Sequence, residues 1–171
     1  MTPTRPLLVA LLIVGAALVA GCGSEGPSTT ATADGGIRIS DATIDWPANP
    51  EVGAVRLLVH NDGPRADELV GASSDVATST MVHRSVTDAQ GRARMEMVSG
   101  LEIPARSTVT FEPGGLHVML NGLTRELEVG DRVEVTMIFR DAGPVSATAT
   151  VVEPGTASLG GDGAEEAAHD H

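Results

Sequence analysis

The sequence predicts an all-β domain, an antiparallel sandwich or Greek-key barrel. Three observations carry that expectation. Short runs with period-two alternation recur between residues 37 and 152, turn-forming residues separate them at intervals, and no stretch sustains a helical period that would supply βαβ units. The chain has 171 residues, 42% hydrophobic, with Trp46, Phe111 and Phe139 as its only aromatics, so Val, Leu, Ile, Ala and Met must fill the core. A chain of that size buries roughly two-thirds of its unfolded surface, enough for one such core.

Taken in order, residues 1–21 read as an export signal: Arg5, an apolar run from Leu7 to Ala20, then small residues before a cut site. The run is shorter than the about 20 residues a spanning helix needs. Val19-Ala-Gly-Cys22 resembles a bacterial lipobox, and Cys22 is the only cysteine in the chain. That resemblance implies cleavage before Cys22, lipidation of its thiol, and anchorage at the cell membrane on the extracytoplasmic side. Residues 22–36 read as a flexible Gly/Ser/Thr tether, residues 37–153 as the folded domain, and residues 154–171 as a disordered acidic tail ending in His169-Asp-His171.

Within the domain, strands are expected at 37–44, 54–60, 82–86, 94–98, 108–111, 133–139 and 145–152, where β-branched and apolar residues alternate with polar ones. Asn61-Asp-Gly-Pro64, Asp88-Ala-Gln-Gly91, Glu112-Pro-Gly-Gly115, Asn121-Gly122 and Asp141-Ala-Gly-Pro144 read as the turns between them.

Charge and composition exclude several functions. Without residues 1–21, which hold one Arg and no acid, 10 basic groups face 23 acidic ones, a net charge of −13. Such a surface repels phosphate backbones, so no nucleic-acid partner is expected. One cysteine supports neither an internal disulfide nor a thiolate zinc cluster. No phosphate loop, nucleophile elbow or paired carboxylates appear, and His60 reads as a structural residue at a strand end, so no enzyme is expected.

The histidines and methionines are placed less evenly. Met81-Val-His83 and His117-Val-Met119 are each spaced i, i+2, and Met95-Glu-Met97 likewise, which on strands gives each pair one face. A hairpin turning at 88–91 with pairs summing to 178 would set His83 opposite Met95 and Met81 opposite Met97. The turn at 113–115 would then bring His117 and Met119 over that hairpin. Two imidazoles with two thioethers suit Cu(I). A blue-copper electron carrier needs a thiolate, and Cys22 lies at the lipid end. Residues alone leave two readings open: a soft-metal site, or methionines filling a core poor in aromatics.

His83, Arg84, ten residues, Met95, twenty-one residues, then His117-Val-Met119 matches the H-(M)-x10-M-x21-H-x-M motif of the PCu(A)C family of periplasmic copper chaperones. Ile39-Ser-Asp-Ala42, Val52-Gly-Ala54, Leu69-Val-Gly-Ala-Ser-Ser74, Gly100-Leu-Glu-Ile-Pro-Ala105 and Glu112-Pro-Gly-Gly-Leu-His-Val-Met-Leu120 resemble that family too. The resemblance implies a cupredoxin-like barrel that binds Cu(I) through His83, Met95, His117 and Met119. It also implies delivery to the Cu(A) subunit of cytochrome c oxidase, directly or through another chaperone. The sequence departs from the family at Arg84, where the optional Met stands, and around Asp45-Trp46-Pro47, where Trp46 would shield the site. Met81 and Met97 are expected to pack behind the ligands. His169 and His171 offer two imidazoles for Cu(II), against a reading as a solvated tail end. Copper sequestration, or a lipid-anchored interaction module without metal, are the competing functions.

Overall fold

The computed structural model describes residues 31–32 and 35–156. Among these, every regular element is a strand: β1 (Ala31–Thr32), β2 (Ile37–Asp45), β3 (Val52–Asn61), β4 (Asp67–Ser74), β5 (Ala77–Thr87), β6 (Ala93–Met97), β7 (Leu101–Ile103), β8 (Ser107–Phe111), β9 (Leu116–Leu123), β10 (Arg132–Phe139) and β11 (Gly143–Val152). They form one sheet in the order β6-β5-β9-β8-β3-β2-β11-β10-β4-β7, with β1 beside β2 and β9 also pairing the first half of β3. The pairing is antiparallel except at β2–β11 and a single pair between β8 and β9. β4 lies near one end of this order and β5 near the other, yet only Asp75 and Val76 separate them, so the sheet has to roll up. β7 packs against β3 and β8 and closes the roll into a barrel.

Alternation builds the interior. Val55, Leu57 and Val59 of β3, Val118 and Leu120 of β9, Val133, Val135, Met137 and Phe139 of β10, and Val145, Ala147, Ala149 and Val151 of β11 all point inward and are buried. Full burial of a Val, Leu or Met side chain is worth about 1.5–3 kcal/mol, which is how aliphatics replace the missing aromatics. Met137 alone among the methionines of the sheet is fully buried.

All seven expected strands are present, within five residues of the expected ends. Four were not expected. β4 (DELVGASS) buries only Leu69 and shows no alternation; its conformation comes from pairing β10 and β7. β7 has three residues. β1 falls within the segment read as a tether and pairs Ala31 with Ile39 and Thr32 with Arg38. β9 runs straight through Asn121-Gly122, so the turn expected there is wrong. Gly122 sits opposite Thr78 with φ of 62°, and a Cβ on it would meet Thr78 Oγ1 at 2.2 Å. That hydroxyl donates to the Asn121 carbonyl at 3.1 Å, so the glycine makes room for a cross-strand bond.

The hairpin register is also corrected. β5 and β6 pair with residue numbers summing to 180, so His83 faces Met97 and Ser85 faces Met95. The cause is the turn. Asp88 N–H donates to the Arg92 carbonyl, the Asp88 carboxylate accepts from the N–H groups of Gln90 and Arg92, and Gly91 takes φ of 78°. This three-residue loop centres the hairpin on Gln90 rather than Ala89. β9 then lies beside β5 on the side away from β6, not over the hairpin.

Candidate metal centre

The same alternation that sends Val82, Val118 and Leu120 into the barrel turns their neighbours outward. β5 presents Met81, His83 and Ser85 on that outer face, β9 presents His117 and Met119, and β6 presents Met95 and Met97. Register arranges them in rows. Met97, His83 and His117 stand side by side across the three strands; Met81 faces Met119, which in turn faces Ala54 of β3; Met95 faces Ser85. Directly opposed residues have Cβ atoms about 5 Å apart, within reach of a shared ion.

Met95 and the histidine of the next strand but one line the same cleft, with the small Ser85 on the strand between them. Ser85, Met95, Pro113, Gly114, His117 and Met119 line an open cleft of about 240 Å³, with Asp45, Ala54 and Arg56 along its other side. His83 stands beside this cleft, its ring edge-on to His117 with centroids 6.0 Å apart.

The two imidazoles are held differently. His117 is 8% exposed, and its Nδ1 donates to the Gly115 carbonyl at 3.2 Å. The same carbonyl accepts the Ser85 N–H at 3.0 Å, so β5 and the 112–115 turn jointly orient this ring. With Nδ1 committed, Nε2 carries the lone pair. His83 Nδ1 is buried and has no hydrogen-bond partner among the described residues. A buried ring nitrogen is ordinarily paired, and a lone pair left without a donor suits a soft cation. Beneath the cleft, the guanidinium of Arg56 is 5% exposed and forms a short ion pair with Asp45.

Among the described residues no group of three or more His, Cys, Asp or Glu is placed to hold a metal. A centre here draws on thioethers, and two neutral imidazoles with two thioethers make a soft donor set. His83, Met95, His117 and Met119 are thus brought to one face. Met81 and Met97 share that face but do not pack behind the others: they are 39% and 69% exposed. Arg84 is on the opposite face from His83, as any residue next along a strand must be, and it faces Glu96 and Leu116. Trp46 turns to the loop carrying Leu127, whose carbonyl accepts its indole N–H at 3.0 Å, and does not line the cleft. Cys22, His169 and His171 lie outside the described residues.

Three contributors escaped the sequence. Ser85 and the Gly115 carbonyl have no sequence signature. Arg56 does: a cation inside the apolar run of β3 signals a paired buried charge.

A rolled β-barrel whose outer face gathers His and Met at this spacing is a domain of the PCu(A)C kind. Residues 37–151 match the family model described as "Putative lipoprotein LpqE-like", and the chain belongs to that LpqE-like family. It is similar to "Putative lipoprotein Lxx21020" of Leifsonia xyli subsp. xyli, 36% identical over 146 residues, covering 82% of this chain and 87% of the relative. Among solved structures it resembles the copper-bound PCuAC domain from PmoF2, with 30% identity and a TM-score of 0.60 over 72% of this chain and 98% of the other. The solution structure of CuI-DR1885 from Deinococcus radiodurans matches with 34% identity and a TM-score of 0.55, over 79% and 84% of the two chains.

Proposed function

We propose that this protein is an extracytoplasmic, lipid-anchored Cu(I)-binding protein that delivers copper to the Cu(A) centre of cytochrome c oxidase, directly or through another chaperone. His83, Met95, His117 and Met119 hold the ion. The observation that carries this reading is the outer-face cluster itself: His117 oriented through Nδ1, a buried His83 Nδ1 without a partner among the described residues, and Met95 reaching across Ser85 to the same cleft. The copper-bound relatives support the same cargo.

Copper is the cargo, and transfer is ligand exchange. Thioether ligands are neutral and are replaced one at a time by an acceptor's thiolate or imidazole, so no step creates a bare ion. The outer face keeps the ligands accessible: Met95 is 61% exposed. Lipid attachment through Cys22 confines the search for an acceptor to the membrane plane, and relatives named as lipoproteins support that placement.

Anaerobic Cu(I) titration against a competing chelator tests the binding. One tight equivalent is expected, weakened by more than about tenfold in Met95→Ala and in His117→Ala, since even indirect partners of a metal are worth that much. Unchanged affinity in both variants would overturn the ligand assignment. Transfer from the loaded protein to an apo Cu(A) domain tests delivery, and a failure there with intact binding favours sequestration.

A further inference from the structure

Beside the four donors assigned above, the same face carries two more. Met97 stands directly opposite His83, and Met81 stands two residues before His83 and directly opposite Met119. At 39% and 69% exposure, Met81 and Met97 are among the most exposed large apolar side chains of the described residues, and neither serves the core. β6 pairs only with β5 and is exposed along its whole length, so this rim is reachable from solvent. Charge is kept off it. Arg84, Arg94 and Glu96 alternate to the opposite face, where Arg94 and Glu96 pair at 2.7 Å. Diagonal neighbours on adjacent strands lie about 7–8 Å apart between Cα atoms, a gap that two flexible methionine side chains can close around one ion.

We infer that Met81 and Met97, one two residues along the strand from His83 and the other directly across from it, form a second and outer Cu(I) subsite through which copper enters and leaves the four-ligand centre. The inference rests on the copper-binding reading above and deepens it. His83 is the shared ligand, adjacent to Met97 on one strand and His117 on the other, so an ion held by Met81, Met97 and His83 crosses the face by exchanging those two thioethers for Met95, His117 and Met119. No bond to hydrogen breaks, no electron moves and the ion stays monovalent throughout. Three-coordinate thioether and imidazole binding suits Cu(I) and its closed-shell analogue Ag(I).

The test is an Ag(I) titration of the full-length protein labelled at the methionine methyl carbons and followed by NMR. The first equivalent is expected to shift the Met95 and Met119 methyls and the second those of Met81 and Met97, which then hold it by their two thioethers alone because His83 stays with the first ion, with the buried Met137 unmoved as an internal control. In Met81→Leu/Met97→Leu, the second-equivalent shifts are lost and first-equivalent affinity is retained. Release of Cu(I) from that variant to a thiolate chelator slows by about tenfold, as expected when one exchange step loses its ligands. If Met95 and Met119 titrate while Met81 and Met97 stay unmoved through two equivalents, the outer subsite is overturned and the four-ligand centre stands. An unchanged release rate in the double variant likewise overturns it. If Met95 and Met119 never shift, the four-ligand centre fails, and the outer subsite fails with it, having nothing to hand copper to.

Discussion

At residue scale, two side chains outside the donor set shape the cleft and its floor. Ser85 faces Met95 across the hairpin and, being small, leaves open the cleft that Met95 and His117 both line. Filling the gap in Ser85→Leu is expected to weaken Cu(I) binding by more than about tenfold while leaving the thermal transition close to wild type, because residue 85 is on the outer face. Chelator competition read beside calorimetry separates the two effects. Asp45 neutralises Arg56, which is 5% exposed. Asp45→Ala removes the carboxylate that neutralises this buried cation and is expected to destabilise the fold by about 2 kcal/mol in urea unfolding, less than the roughly 3–5 kcal/mol of a fully buried pair because the carboxylate keeps contact with solvent. Here the sequence was informative about donors and silent about their setting. Thioether and imidazole spacing survives in the text of a chain; the size of an intervening serine and the direction of a carbonyl do not.

At the scale of elements, His60 shows how three strands are tied. Its Nε2 bonds Ser40 Oγ of β2 at 2.9 Å and its Nδ1 bonds Thr108 Oγ1 of β8 at 2.9 Å. Partial burial, with the Arg38 cation adding to it, lowers this imidazole's pKa from its ordinary 6.5, against the opposing pull of Asp62 and Asp41. The unfolded chain therefore binds the proton more readily. The stability His60 contributes is complete above the ordinary value and is lost as pH falls through 6.5 toward the lower folded value. Urea unfolding of the metal-free protein between about pH 7 and about pH 5 should show a steeper loss in wild type than in His60→Gln. An equal slope in the two would refute this account. The elements also show where the sequence ran out. Strands with one buried face were legible from alternation, whereas β4 and β7 take their form from neighbours. The hairpin was legible but its centre was not, since the side-chain bonds of Asp88 and the left-handed Gly91 decide between two pairings two residues apart. The error left the faces intact because it was even.

For the whole molecule, the acid excess and the copper centre predict separable behaviours. The net charge is −12 over the full sequence. Copper transfer to a basic acceptor is expected to slow as salt is raised, with the equilibrium affinity for Cu(I) unchanged, because charge complementarity acts on encounter. Stopped-flow transfer across a salt series checks this, and a salt-independent rate would show that the surface charge plays no part in docking. Loading with free Cu(I) at about 100 times its Kd should stabilise the fold by about 2.7 kcal/mol, as any ligand specific to the native state does. The barrel was foreseeable at this scale, and the core pattern and the donor motif occupy the same stretch of chain.

Their shared stretch has a consequence for how the gene can change. In β5 and β9 the even-numbered positions Val82, Val118 and Leu120 belong to the barrel, while the odd-numbered Met81, His83, Ser85, His117 and Met119 belong to the outer face. Two messages are thus interleaved, and either can be edited by substitution without disturbing the other. Inserting or deleting one residue within either strand is different: past that point it exchanges the two messages, driving imidazoles into the barrel and valines onto the rim. Lineages of this protein are therefore expected to change by replacement within one message at a time while keeping the lengths of these two strands fixed.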